Sequence, residues 1–339
     1  MAETFIREAK SGPELDMTTP KMQALVSSLD TFLLFFQENR ISTPQDHWTV
    51  EKEWPSFHNL ETAIKAQLQM IKLNYGKGEK EKACGQYEAL WHAVDQLNSG
   101  CTEMSGPMAV YRISELLIGS FLEQGEMVKR CDLESIVDVV DRVIAGLDGN
   151  LKRGFAVSSV ISKRNLELCR DDRQTFEQMF DPINDLAQVF AYNWIKKRVA
   201  HGPLYDHQKW LLEGDRLYAA SLLPACSRPF HQLDPLPELK DGFSASLEFL
   251  RNPARTYMKS VTPLQYAHLA KKERAKSLLT AFRFLLATSG QEELGEPPID
   301  NLTGEKFLVM HDSARTRIKS PSKEISTVDL TLRAATDSP

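Results

Sequence analysis

The sequence predicts an all-α protein: a multi-helix bundle, built as one body or as two helical lobes, followed by a mostly disordered C-terminal tail. Three observations predict it. Apolar residues recur at i, i+3, i+4 and i+7 through most of the chain, the spacing that places them on one helix face. Apolar–polar alternation over five or more positions, the strand signal, barely occurs. From Ser289 onward Gly, Pro, Ser, Thr and charges dominate, with Phe307-Leu308-Val309-Met310 as the exception, and the rest reads as a flexible tail.

In chain order, Leu25, Val26, Leu29, Phe32, Leu33 and Phe36 predict a helix over about 19–38, with Pro20 in its first turn. Leu60, Ile64, Leu68 and Ile71 form a second stripe, capped by Ser56 and ended by Gly76 and Gly78. Tyr87, Leu90, Trp91, Val94 and Leu97 form a third, ending near Gly100. A fourth opens at Ser105-Gly106-Pro107 and carries Val110, Ile113, Leu117 and Phe121.

The fifth runs through Leu133, Ile136, Val137, Val140, Ile144 and Leu147, with Asp132 as N-cap and Gly146 or Gly149 as its stop. Phe176, Phe180, Ile183, Leu186 and Phe190 mark a helix over about 173–200, which Pro182 kinks or splits. Another spans about 207–221. Pro224, Pro229, Pro235 and Pro237 then define a loop, and a long helix follows over about 263–287 with Pro263 in its first turn.

The resulting organisation is a flexible arm (1–17), a helical body (18–223), a Pro-rich loop (224–240), a basic helical segment (241–288) and the tail (289–339). The start of the chain lacks the apolar run of a secretory signal, and no apolar stretch is long enough to span a membrane. The five cysteines (Cys84, Cys101, Cys131, Cys169 and Cys226) are odd in number, widely spaced and lack a CxxC. They read as small apolar residues rather than a disulfide framework, so an intracellular, cytoplasmic or nuclear setting is expected.

Motifs for chemistry fail one by one. Neither GxxxxGK[ST], GxGxxG, GxSxG nor HExxH occurs. Gly76-Lys77-Gly78 reads as a turn. His201, Asp206 and His207 form the densest set of metal-ligand types, but Gly202 and Pro203 make it a corner between helices, with Asp206 as a cap. Asp171-Asp172 lacks the far acid of the aspartate-rich magnesium motif of helical isoprenoid synthases. No catalytic residue, metal ligand or cofactor is assigned.

Charge carries more information. Residues 123–148 hold seven acids against three bases, net −4, whereas 251–283 hold eight bases against one acid, net +7, with Tyr257, Tyr266, Phe282 and Phe284 interleaved. The candidate binding residues are Lys196, Lys197, Arg198, Lys209, Arg251, Arg255, Lys259, Lys271, Lys272, Arg274 and Lys276. Two readings lead, ahead of a third, an enzyme of unknown class. The first is a non-enzymatic interaction and assembly protein that meets a protein partner, or further copies of itself, through charged surfaces. The second is an RNA- or single-strand-binding protein of nucleocapsid type, whose basic groove neutralises phosphates while aromatic side chains stack on bases. The bland alternative for the basic cluster is a solvated helix face, free or docked on the acidic 123–148 face of its own chain or of a neighbour.

Overall fold

The computed structural model describes residues 58–101, 106–124, 131–171, 206–233, 251–289, 294–312, 315–321 and 328–333. The arm, the helix expected over 19–38 and the segment expected over 173–200 lie outside the described residues.

The first helices follow the apolar stripes. Helix α1 (His58–Gly76) buries Ile64, Leu68 and Ile71. It ends where expected: the amides of Lys77 and Gly78 bond back to Leu73 and Tyr75, and Gly78 takes φ 86°, a conformation costly for any residue with a Cβ. Helix α2 (Lys80–Gly100) buries Tyr87, Leu90, Trp91, Val94 and Leu97. Helix α3 (Gly106–Glu123) opens at the expected Gly-Pro and buries Val110, Ile113, Leu117 and Phe121.

Helix α4 (Leu133–Asp171) starts as read: Asp132 Oδ1 accepts from the amides of Glu134 and Ser135. It does not stop at Gly146 or Gly149 and runs for 39 residues. Gly146 is a contact point, not a terminator. A Cβ there would meet Asn98 Nδ2 at 2.5 Å. Buried Asn98 donates to the Val143 carbonyl (2.8 Å) and accepts from Asn150 Nδ2 (2.9 Å), cross-linking α2 to α4.

Helix α5 (His207–Asp215) is capped by Asp206, which accepts from the Lys209 amide, as expected. It continues as a π-helical segment (Arg216–Leu222) and a short turn (Leu223–Ala225). The first part of the Pro-rich stretch is therefore packed structure: Ala225 and Cys226 are buried, and Phe230–Gln232 forms a 3-10 turn. Residues 234–250 lie outside the described residues.

Helix α6 (Pro253–Ala287) begins ten residues earlier than expected and spans 35. Asn252 caps it by accepting from the Arg255 amide, and Pro253 occupies the first turn, where a missing N–H costs nothing. Pro263 falls inside the helix instead of at its start.

Within the segment expected as mostly disordered tail lies a three-stranded antiparallel sheet that the periodicity did not predict, β1 (Leu308–Asp312), β2 (Arg315–Lys319) and β3 (Asp329–Arg333), in the order β1-β2-β3. Its inner face bears Ile318, Val309 and Leu330, and with Phe307, Val328 and Leu332 it packs into the same core as the helices. This segment is order borrowed from the bundle, because its scattered apolar residues have a surface to cover.

One core joins α1–α4, the C-terminal half of α6 and the sheet. Trp91 stacks on Phe282 (5.6 Å between ring centres), Tyr87 stacks on Phe121 (4.9 Å), and Phe121 meets Phe282 edge-on. Beyond it, Leu151 and Phe155 of α4, Trp210, Tyr218 and Leu222, and Met258 and Leu269 of α6 are also buried. The two long helices thus run through both groups of buried side chains, and the fold is all-α with a small sheet attached.

The cysteine expectation is corrected. Cys84 of α2 and Cys131, just before α4, form a disulfide with their Cα atoms 5.2 Å apart. They are 47 positions apart in sequence, and only the packing of α2 against α4 brings them together.

Candidate functional site

Helix α6 carries the basic residues singled out in the sequence, and its geometry divides them. Lys272, Lys276 and Arg283 stand at i, i+4 and i+11, one stripe, and that stripe faces α4. Arg283 Nε lies 2.5 Å from Asp141 Oδ1. Lys276 Nζ lies 2.6 Å from Asp148 Oδ1, and Lys272 Nζ lies 2.8 Å from the same oxygen.

Lys272 is a correction to the candidate binding set. Its side chain is 1% exposed, and its ammonium also donates to the Cys226 carbonyl (2.6 Å) and pairs with Glu273 (2.6 Å). Three hydrogen-bond donors meet three acceptors, so the buried charge is satisfied within the chain. Phe282, one of the aromatics available for stacking, is also inside the core, and Phe284 is partly buried against it.

The electrostatics of this cluster follow from burial and pairing. Burial raises the Asp148 carboxyl, but hydrogen bonds from Lys272 and Lys276 outweigh it and hold the group below its usual range. Burial pushes Glu273 up, opposed by Lys272. Burial also pushes the Cys226 thiol up to about 12, so it stays protonated.

The remaining candidates do not share that stripe. Arg255 and Lys259 stand at i and i+4 near the start of α6, Arg251 precedes its cap Asn252, and Lys271 and Arg274 stand on another side. Arg251, Arg255 and Arg274 are exposed. Lys209 on α5 is exposed and lies 3.6 Å from Asp206. Lys196, Lys197, Arg198 and His201 lie outside the described residues. The described basic residues of α6 are therefore split between an internal stripe paired with α4 and separate exposed groups.

The sequence reading missed the solvent face of the sheet. Strand pairing places Leu308 beside Lys319, Met310 beside Arg317 and Asp312 beside Arg315. Opposed residues share a face, so β2 presents Arg315, Arg317 and Lys319 outward next to two exposed apolar side chains, Leu308 (53%) and Met310 (51%). Arg317 pairs with Asp329 of β3, and Arg315 with Asp312. The signal was present in Arg315-Thr-Arg-Ile-Lys319, a short basic alternation, but it fell inside a stretch whose composition reads as tail.

A cleft of about 310 Å³ lies between α1 and α3, bordered by Leu68, Leu116, Lys65, Lys72, Glu115 and Glu123. Lys72 and Glu123 approach within 3.6 Å across it. Among the described residues no group of three or more His, Cys, Asp or Glu is placed to hold a metal ion, and no helix is long and apolar enough to cross a membrane. No protein-family model, curated protein or solved structure matches this chain.

Proposed function

We propose that this chain is a non-enzymatic assembly protein that associates with further copies of itself. The observation supporting this is the outward face of the C-terminal sheet, where exposed Leu308 and Met310 adjoin Arg315, Arg317 and Lys319. An apolar centre rimmed by charge, enriched in Met and Arg, is the make-up of protein–protein contact surfaces. The acidic and basic helical segments contribute differently from the head-to-tail pairing their charges invite. Asp141 and Asp148 are matched by Arg283, Lys276 and Lys272 of the same chain, and so those charges brace the body that carries the sheet.

Sedimentation equilibrium of the whole chain over a wide concentration range, at low and at moderate salt, tests this. The weight-average mass is expected to rise with concentration. A monomer mass at the highest concentration and low salt sinks the reading.

A further inference from the structure

We propose that the contact between copies is the free edge of β1, paired antiparallel with β1 of a second copy about a two-fold axis through Met310. This rests on the assembly reading above and names its surface.

Among the described residues, β1 pairs with β2 alone within the sheet. Just before the strand, the Phe307 amide donates to the Pro298 carbonyl (3.0 Å), and Ile299 bridges Lys306, so a short hairpin covers the outer edge up to Phe307. Successive residues of a strand send their backbone groups to opposite edges. Val309 and His311 therefore point their N–H and C=O groups the same way as Phe307, past the end of that hairpin. Four backbone groups face outward there in a row.

Natural sheets blunt such an edge with Lys, Pro or a bulge. Residues 308–312 carry no Lys, Pro or bulge, their one charged side chain being Asp312 at the end of the strand, and β1 pairs with β2 residue for residue.

The occupant follows from the strand's own pattern. Its outward row reads Lys306, Leu308, Met310, Asp312: basic, apolar, apolar, acidic. Reversed, that row complements itself. With Met310 opposite Met310 of the second copy, Val309 and His311 face each other twice, and all four outward backbone groups are bonded. Asp312 of each copy then lies diagonally across from Lys306 of the other, within reach of a long side chain, so that the exposed Lys306–Glu296 and Arg315–Asp312 pairs of each chain gain a further opposite charge. A shift that set Lys306 directly opposite Asp312 would drive the second strand into Ile299. The basic β2 strands of the two copies sit three strand spacings apart, roughly 14 Å, beyond the screening length at physiological salt.

Two variants at the axis test the arrangement, because Met310 is exposed and its replacement leaves the core intact. Met310→Lys places two ammonium groups face to face and is expected to weaken self-association about tenfold, with an unchanged thermal melt. Met310→Cys sets two thiols at the closest spacing an antiparallel pair offers, about 4.5 Å between Cα atoms. Under a mild disulfide oxidant it is expected to yield a covalent dimer on a non-reducing gel. Arg317→Cys, one strand further in, is expected to yield none.

If the native chain self-associates but Met310→Lys matches it, or Met310→Cys does not cross-link, the β1 edge is overturned and the assembly reading stands. If the native chain is monomeric throughout, the assembly reading falls and takes the edge with it.

Discussion

Lys272 shows how one side chain changes meaning between a sequence and a fold. In a row of basic residues it resembles its neighbours; in three dimensions it is a buried cation held by Asp148, Glu273 and the Cys226 carbonyl. Removing one member of a buried charge cluster leaves the others uncompensated, at a cost of about 3–5 kcal/mol. Lys272→Ala is therefore expected to lower the urea midpoint strongly, whereas Arg274→Ala, on the exposed side of the same turn, should leave it nearly unchanged. The cluster also has a pH signature. Asp148 titrates below its usual 3.8 in the folded chain, so its contribution is full above that pH and is lost as pH falls through the lower folded value. Glu273, raised above its usual 4.5, acts in the opposite sense and favours the fold as it takes up its proton. Denaturation midpoints below pH 4 should fall more steeply for the native chain than for Asp148→Asn.

Among the elements, α4 is the one that outran its sequence signals. Glycine is a poor helix former, by about 1 kcal/mol relative to alanine, so Gly146 and Gly149 read as stops. Contact with Asn98 reverses the sign at Gly146. Asn98 is tied to Val143 and Asn150 and cannot retreat from a Cβ placed 2.5 Å away. Gly146→Ala should destabilise the chain, while Gly119→Ala in α3, with nothing within 4 Å, should raise the melting temperature. The α2–α4 pair carries a second clamp in Cys84–Cys131. Cross-links of this kind stabilise by about 2–4 kcal/mol, chiefly by restricting the unfolded chain. Melts with and without reductant should differ accordingly, and Cys84→Ser should abolish the difference.

At the scale of the whole molecule, the C-terminal sheet belongs to the body. Ile318, fully buried on its inner face, packs in the same cluster as Leu278, Phe282 and Leu285 of α6. Ile318→Ala should cost about 2–5 kcal/mol in global stability and keep a single transition. If residues 308–333 moved independently of the helices, the main melt would not respond. The same docking gives the proposed assembly surface its support: β2 and β3 rest on α6, and among the described residues β1 is the outer strand of the sheet.

The helix class, four helix starts or stops (Gly76, Gly106, Asp132 and Asp206) and most core positions of α1–α4 were legible in the sequence, because capping and apolar periodicity act within a few residues. Everything that depended on distant partners was not. Gly146 needed Asn98, Lys272 needed Asp148, Cys84 needed Cys131, and strands β1–β3 needed a helical surface to cover. Charge patterning identified the acidic and basic segments, yet only the packing of α6 on α4 decided that Asp141 and Asp148 meet Arg283, Lys276 and Lys272. Which segments could be helices and where charge accumulates follow from the order of residues alone, since those are local properties of the chain. Which charges are paired inside the body and which strand lies outermost in the described sheet came only from the packing, because burial and pairing exist only once residues far apart in sequence share a core.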